Sequence, residues 1–261
     1  MYGLLFDMDG VLYNSDALIP GSVETVAWVR AQSIPHLFVT NTTSRSRTHL
    51  VEKLAGFGIP AREEEVMTPA VAAADWLRAI GATDIALFVR PAARGEFVGL
   101  ACLPDDAETG ASHVVIGDLG SLWDYRTLNR AFRLLHNNPD ATLIALGMTR
   151  YWLATDGISL DVAPFVAALE HATGRAPRVF GKPAAEFFKA AARKLAWPPE
   201  SVWMIGDDIH ADIAGAQAAG LKAALVKTGK FRSTDLDGEV HPDAVLESIA
   251  DLPRALAERV R

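Results

Sequence analysis

Short apolar runs that end on polar residues alternate along this chain with stretches whose apolar positions recur three and four residues apart. The first run is "YGLLF" (2–6). After the turn signal "IPG" (19–21) come a helical pattern in "SVETVAWVRAQ" (22–32) and a second run, "PHLFVTN" (35–41). The stretch "TTSRSRTHLVEKLAGFG" (42–58) sets Leu50, Leu54 and Phe57 at helical spacing before a glycine stop, which predicts a helix starting near Ser44. The same grammar returns late in the chain. "EFFKAAARKLAW" (186–197) and "DIAGAQAAG" (212–220) read as helices, and "SVWMIGDD" (201–208) and "KAALVKTG" (222–229) as strands. This alternation predicts an α/β fold of parallel strands with crossover helices.

The middle of the chain has its own rhythm. Helical patterns at 69–81, 125–137 and 161–174 are interleaved with apolar runs at 84–90, 112–118 and 141–147. In an open parallel sheet, ligands bind at the carboxyl ends of the strands. If the polar strand ends of the flanking segments are to meet there, the middle is an insertion within one fold. The expected organisation is a core of residues 1–65 plus 177–261, with an inserted α/β domain at 66–176.

Composition narrows the class of function. The 261 residues are half apolar with a formal net charge of −7, as in a globular protein with a substantial core. That balance supplies no general attraction for nucleic acid or an anionic membrane, although a local basic pocket can still hold a small anion. Cys102 is the single cysteine, so neither an intrachain disulfide nor a thiolate zinc cluster can form. With no leader-like or membrane-spanning run, the expected location is cytoplasmic.

Four short motifs carry candidate chemistry. "DMDG" (7–10) closes the first apolar run with Asp7 and Asp9, and Gly10 permits a turn that lets both carboxylates face one small site. Such a pair can divide the work of nucleophile, proton carrier and metal ligand, or can simply cap backbone amides in a turn. Thr40 and Asn41 end the second run, where they can hold an anion or cap the next helix. Lys182 in "VFGKP" (179–183) can neutralise phosphoryl oxygens or sit solvated at a helix entry. In "MIGDDIHADIAGAQAAG" (204–220), Asp207, Asp208 and Asp212 crowd together. Three acids so close repel one another unless a cation or backbone donors compensate, and oxygen ligands favour a hard cation such as Mg²⁺.

Taken in order, Asp-x-Asp-Gly, Thr-Asn, Lys-Pro and Gly-Asp-Asp resemble the motifs of the haloacid dehalogenase superfamily across essentially the whole chain. The insertion is similar to the large α/β (C2-type) cap of its NagD-like subfamily. The resemblance implies a Rossmann-like core with an inserted cap. It also implies Asp7 as nucleophile, Asp9 as general acid and base, and Thr40, Asn41 and Lys182 as phosphoryl-binding residues. Mg²⁺ would be held by Asp7, the Asp9 backbone carbonyl and Asp207, with Asp208 and Asp212 as outer supporting groups.

The expected activity is Mg²⁺-dependent hydrolysis of a small phosphorylated metabolite, phosphoamidate or pyrophosphate through an aspartyl-phosphate. A phosphotransferase or mutase would use the same intermediate, and a binding module with a retired site is the non-enzymatic alternative. The expected partner is a small phosphorylated molecule, without nucleic acid or membrane, and the cap is the candidate surface for a homodimer.

Overall fold

The computed structural model describes residues 2–154 and 157–259. The strands of the chain's two ends form one six-stranded parallel sheet. Its order is Ala244–Leu246, Lys222–Val226, Val202–Gly206, Gly3–Asp7, His36–Val39 and Val66–Met67. Numbered along the chain, these strands run 6-5-4-1-2-3, the Rossmann-like order expected of a doubly wound sheet. The order reverses between Gly3–Asp7 and Val202–Gly206, which pair in parallel with Phe6 opposite Ile205. That crevice is where such sheets bind ligands, and of the two strands that flank it one ends on Asp7 and the other is followed at once by Asp207.

Alternation along Gly3–Asp7 explains the layering. Leu4 and Phe6 join a core with Val26 and Val29 of helix Ser22–Ala31, Leu50 and Leu54 of helix Arg47–Gly56, and Leu252 and Leu256 of the last helix. Helix Ala185–Leu195 also packs on the sheet, against Gly3–Asp7 and His36–Val39, and buries Phe187 and Phe188.

The chain divides into two compact units. The first comprises residues 1–40, 47–67 and 182–261, and holds the six-stranded sheet. The second comprises residues 41–46 and 68–181. It has a four-stranded parallel sheet ordered Arg178–Val179, Thr142–Ala145, His113–Ile116 and Ile85–Phe88. Its core joins Phe88, Val114, Ile116 and Leu143 to Leu134 and Leu135 of helix Tyr125–His136 and Val166 and Leu169 of helix Val162–Thr173. Trp123 stacks between Phe88 and Phe165. An antiparallel pair, Tyr151–Ala154 with Gly157–Leu160, also belongs to this unit. Among the described residues, no helix is long and apolar enough to cross a membrane.

Two elements depart from the periodicity. The helix expected near Ser44 begins at Arg47, because the Ser- and Thr-rich entry forms a loop in which the hydroxyls of Thr42 and Ser44 meet each other. The helix expected at 212–220 begins earlier, as a π-helical segment Ile209–Ala214 that runs into the short α-helix Gly215–Ala218.

Candidate active site

The first strand exits on Asp7, whose side chain is buried beside that of Lys182. Lys182 Nζ donates to Asp7 Oδ1 at 2.6 Å and to Asp212 Oδ1 at 2.6 Å. Asp212 reaches this position from the π-helical segment, and its Oδ2 accepts the Asp208 amide at 3.2 Å. Both Asp212 oxygens are thus engaged. Its close approach requires Gly206, because a Cβ there would collide with the Asp212 carboxylate.

Asp207, 1% exposed, completes a cluster in which one carboxylate oxygen each from Asp7, Asp207 and Asp212 lie within 4.8 Å of one another. Asp207 Oδ2 accepts the Lys230 amide at 2.7 Å. Its Oδ1 is buried and has no hydrogen-bond partner among the described residues. Gly10, at φ +91°, passes so close to Asp207 that any side chain would strike the carboxylate. The Asp-x-Asp-Gly glycine therefore serves close approach as well as turning.

The electrostatics of the cluster follow from burial. When all are ionised, three carboxylates around one ammonium leave two negative charges in excess. Burial pushes the Asp7 carboxyl up to about 8, against the pull of Lys182 and with Asp212 and Asp207 adding to the rise. Burial likewise pushes Asp207 up to about 6, opposed by the Lys230 amide. Burial alone would lower the Lys182 ammonium, but Asp212 and Asp7 outweigh it and hold the group above its ordinary value. A divalent cation beside these carboxylates would favour their ionised forms and oppose the effect of burial. The all-oxygen donor set and an Asp207 Oδ1 with no hydrogen-bond partner among the described residues fit a hard divalent cation.

The other expected site residues are placed differently. Asp9 is exposed, its Oδ1 accepts the Ser15 amide at 3.1 Å, and its carboxylate is not part of the buried cluster. Thr40 follows strand His36–Val39, and its amide donates to the Met67 carbonyl at 3.1 Å. Asn41 belongs to the second unit, where its Oδ1 would stand 3.3 Å from a Cβ at Gly181. Asp208 caps the π-helical segment, its Oδ1 accepting the amides of His210 and Ala211. Burial raises its pKa, but the Ala211 amide and Lys230 outweigh burial and hold the carboxyl low.

Sequence reasoning missed the turn Thr228–Lys230, which contacts both Gly10 and Asp207. The available signal was its position at the exit of another strand of the same sheet.

The chain is similar to known proteins in sequence and in fold. A family model described as haloacid dehalogenase-like hydrolase matches residues 4–98, and one described as HAD-hydrolase-like matches residues 179–252. Human phospholysine phosphohistidine inorganic pyrophosphate phosphatase is 39% identical over 254 residues, covering 95% of this chain and 90% of that protein. Bovine haloacid dehalogenase-like hydrolase domain-containing protein 2 is 39% identical over 234 residues, covering 90% and 87% of the two chains. Among solved structures, p-nitrophenyl phosphatase from Archaeoglobus fulgidus superposes with a TM-score of 0.87 at 28% identity, over 97% of this chain and 98% of that one.

Proposed function

The chain belongs to the haloacid dehalogenase-like hydrolases, and from that premise we propose that it is a Mg²⁺-dependent phosphatase whose nucleophile is Asp7. The observation that carries this reading is the buried cluster of Asp7, Asp207 and Asp212 around Lys182, with one Asp207 oxygen that has no hydrogen-bond partner among the described residues. The substrate class we infer is a small phosphorylated metabolite, phosphoamidate or pyrophosphate. It is supported by the phosphatase names of the similar proteins.

Asp7 attacks phosphorus in line and forms an aspartyl-phosphate, while Asp9, exposed to solvent beside it in the chain, protonates the leaving group. In the second half-reaction Asp9 takes a proton from the water that cleaves the intermediate. Lys182 orients the Asp7 carboxylate and neutralises phosphoryl charge, and Asp212 holds the lysine in place. Thr40 and Asn41 bind the phosphoryl oxygens. Asp7, the Asp9 carbonyl and Asp207 would hold Mg²⁺, and Asp208 supports them by fixing the start of the π-helical segment. When bound, the cation polarises the phosphoryl group and screens it from the attacking carboxylate.

The first unit is read as the catalytic core and the second as the inserted cap. Tyr151, Trp152, Ile158 and Leu160 are exposed on the antiparallel pair of the second unit, which supports a homodimer through the cap, tested by light scattering. The single cysteine supports a reducing, cytoplasmic location.

A screen of phosphomonoesters, pyrophosphate and phosphoamidates with and without Mg²⁺ tests the activity. Phosphate release without an added acceptor is expected, whereas release that requires an acceptor would make the chain a phosphotransferase. No Mg²⁺-dependent reaction with any of them would leave a binding module.

A further inference from the structure

The turn after strand Lys222–Val226 links three strand exits. Thr228 Oγ1 donates to the Gly10 carbonyl at 2.5 Å, one residue beyond the Asp9 carbonyl. Gly229, at φ +59°, lies against both neighbours. A Cβ there would run into Asp207 Oδ2 and stand 2.5 Å from Gly10 Cα. Next in the chain, the Lys230 amide donates to Asp207 Oδ2, and Lys230 Nζ reaches Asp208 Oδ2 at 3.2 Å. The Lys230 side chain is 72% exposed, so its ion pair with Asp208 adds little stability, and it is the backbone amide that reaches Asp207.

A carboxylate on an unbranched Asp side chain can rotate and present either oxygen, or both. Here Oδ2 is tied by the amide while Oδ1 stays buried with no hydrogen-bond partner among the described residues. We propose that the turn Thr228–Gly229–Lys230 is the positioning element of Asp207, holding its carboxylate so that Oδ1 alone is offered to a divalent cation. This rests on the reading of the acidic cluster as a cation site. Each residue of the turn has its own part. The Lys230 amide fixes the rotation of the carboxylate. Gly229 lets the backbone come close enough for that bond to form. The Thr228 hydroxyl anchors the turn to the segment that carries the Asp9 carbonyl. Groups that orient a ligand in this way typically change metal affinity by about 10- to 100-fold when lost.

The test uses the full chain, with Mg²⁺ binding measured by titration calorimetry, Mn²⁺ binding by electron paramagnetic resonance, and the melting temperature of the chelated protein measured in parallel. Thr228→Val should weaken Mg²⁺ binding by about tenfold and Thr228→Ser should restore it. Gly229→Ala should weaken it further, toward about 100-fold. The Mg²⁺ concentration for half-maximal hydrolysis of p-nitrophenyl phosphate should rise in step, with KM for the ester at saturating Mg²⁺ unchanged. If Gly229→Ala does not fold, the Thr228→Val and Thr228→Ser pair decides. Wild-type affinity in the folded variants, with only the melting temperature lowered, would overturn the proposal and leave the turn a packing element. A wild-type chain that binds neither Mg²⁺ nor Mn²⁺ would overturn the cation site itself, and the proposal with it.

Discussion

Lys182 and Asp7 stand 175 positions apart in the chain, and their side chains meet at 2.6 Å, both buried. The contact joins the end of the first strand to the start of the chain's last third, and Asp212 closes it from the other side of the ammonium. The lysine therefore has a structural duty apart from any contact with substrate.

Replacing Lys182 with Met leaves Asp7 and Asp212 buried without their cation. In the chelated protein this should cost about 3–5 kcal/mol, read from urea unfolding. A variant as stable as wild type would show that the carboxylates find other donors.

Asp7→Asn should abolish turnover while ester binding persists, and acid-quenched samples should carry no phosphoryl-protein with the variant but a labelled one with wild type. Asp9→Asn should retain the nucleophile and slow turnover by about 10²- to 10⁴-fold, the usual range for a lost general acid and base. Full activity in either variant would remove that residue from its role.

Removal of divalent cations by a chelator should abolish hydrolysis, and Mg²⁺ should restore it. Mg²⁺ present at 100 times its dissociation constant should also add about 2.7 kcal/mol to the stability of the folded chain, seen as a rise in melting temperature. Asp207→Asn removes a charge from the donor set and should diminish that rise.

Away from the site, Glu65 is buried and accepts both Arg30 guanidinium nitrogens, at 3.0 and 2.8 Å, and the Arg62 amide at 2.8 Å. Burial raises its pKa, but the bonds from Arg30 and Arg62 outweigh burial and hold the carboxyl below its ordinary value. The sign follows from proton uptake. The unfolded chain takes up the proton first as pH falls, so the stability from Glu65 is complete above the ordinary value of 4.5 and is lost as pH falls through the lower folded value. Glu65→Gln should cost about 1–3 kcal/mol at neutral pH and flatten the acid limb of the stability profile below pH 4.5. An unchanged acid limb would assign that limb to other carboxylates.

Much of this protein is legible along the chain, and the reason is local. Strands such as Gly3–Asp7 and Val202–Gly206 are continuous apolar runs because both faces of the parallel sheet are covered, and each gives way at once to a carboxylate. That contrast marks Asp7, Thr40 and Asp207 as strand-end residues without any structure. Sequence does not reveal which strand ends become neighbours. Strands of two and three residues, Val66–Met67 and Ala244–Leu246, carry too little periodicity to be seen, yet they complete the sheet. Asp212 meets Lys182 because a π-helical segment turns it inward, and no apolar spacing announces such a segment. Thr228 and Gly229 read as the tail of a strand expected over 222–229, which ends instead at Val226; only the sheet order, which sets Lys222–Val226 beside Val202–Gly206, brings the turn onto Asp207. The chain alone determined which groups can do chemistry. Pairing across nearly two hundred residues decided which of them touch, because hydrogen-bonded strand order, a property of no single segment, sets those distances.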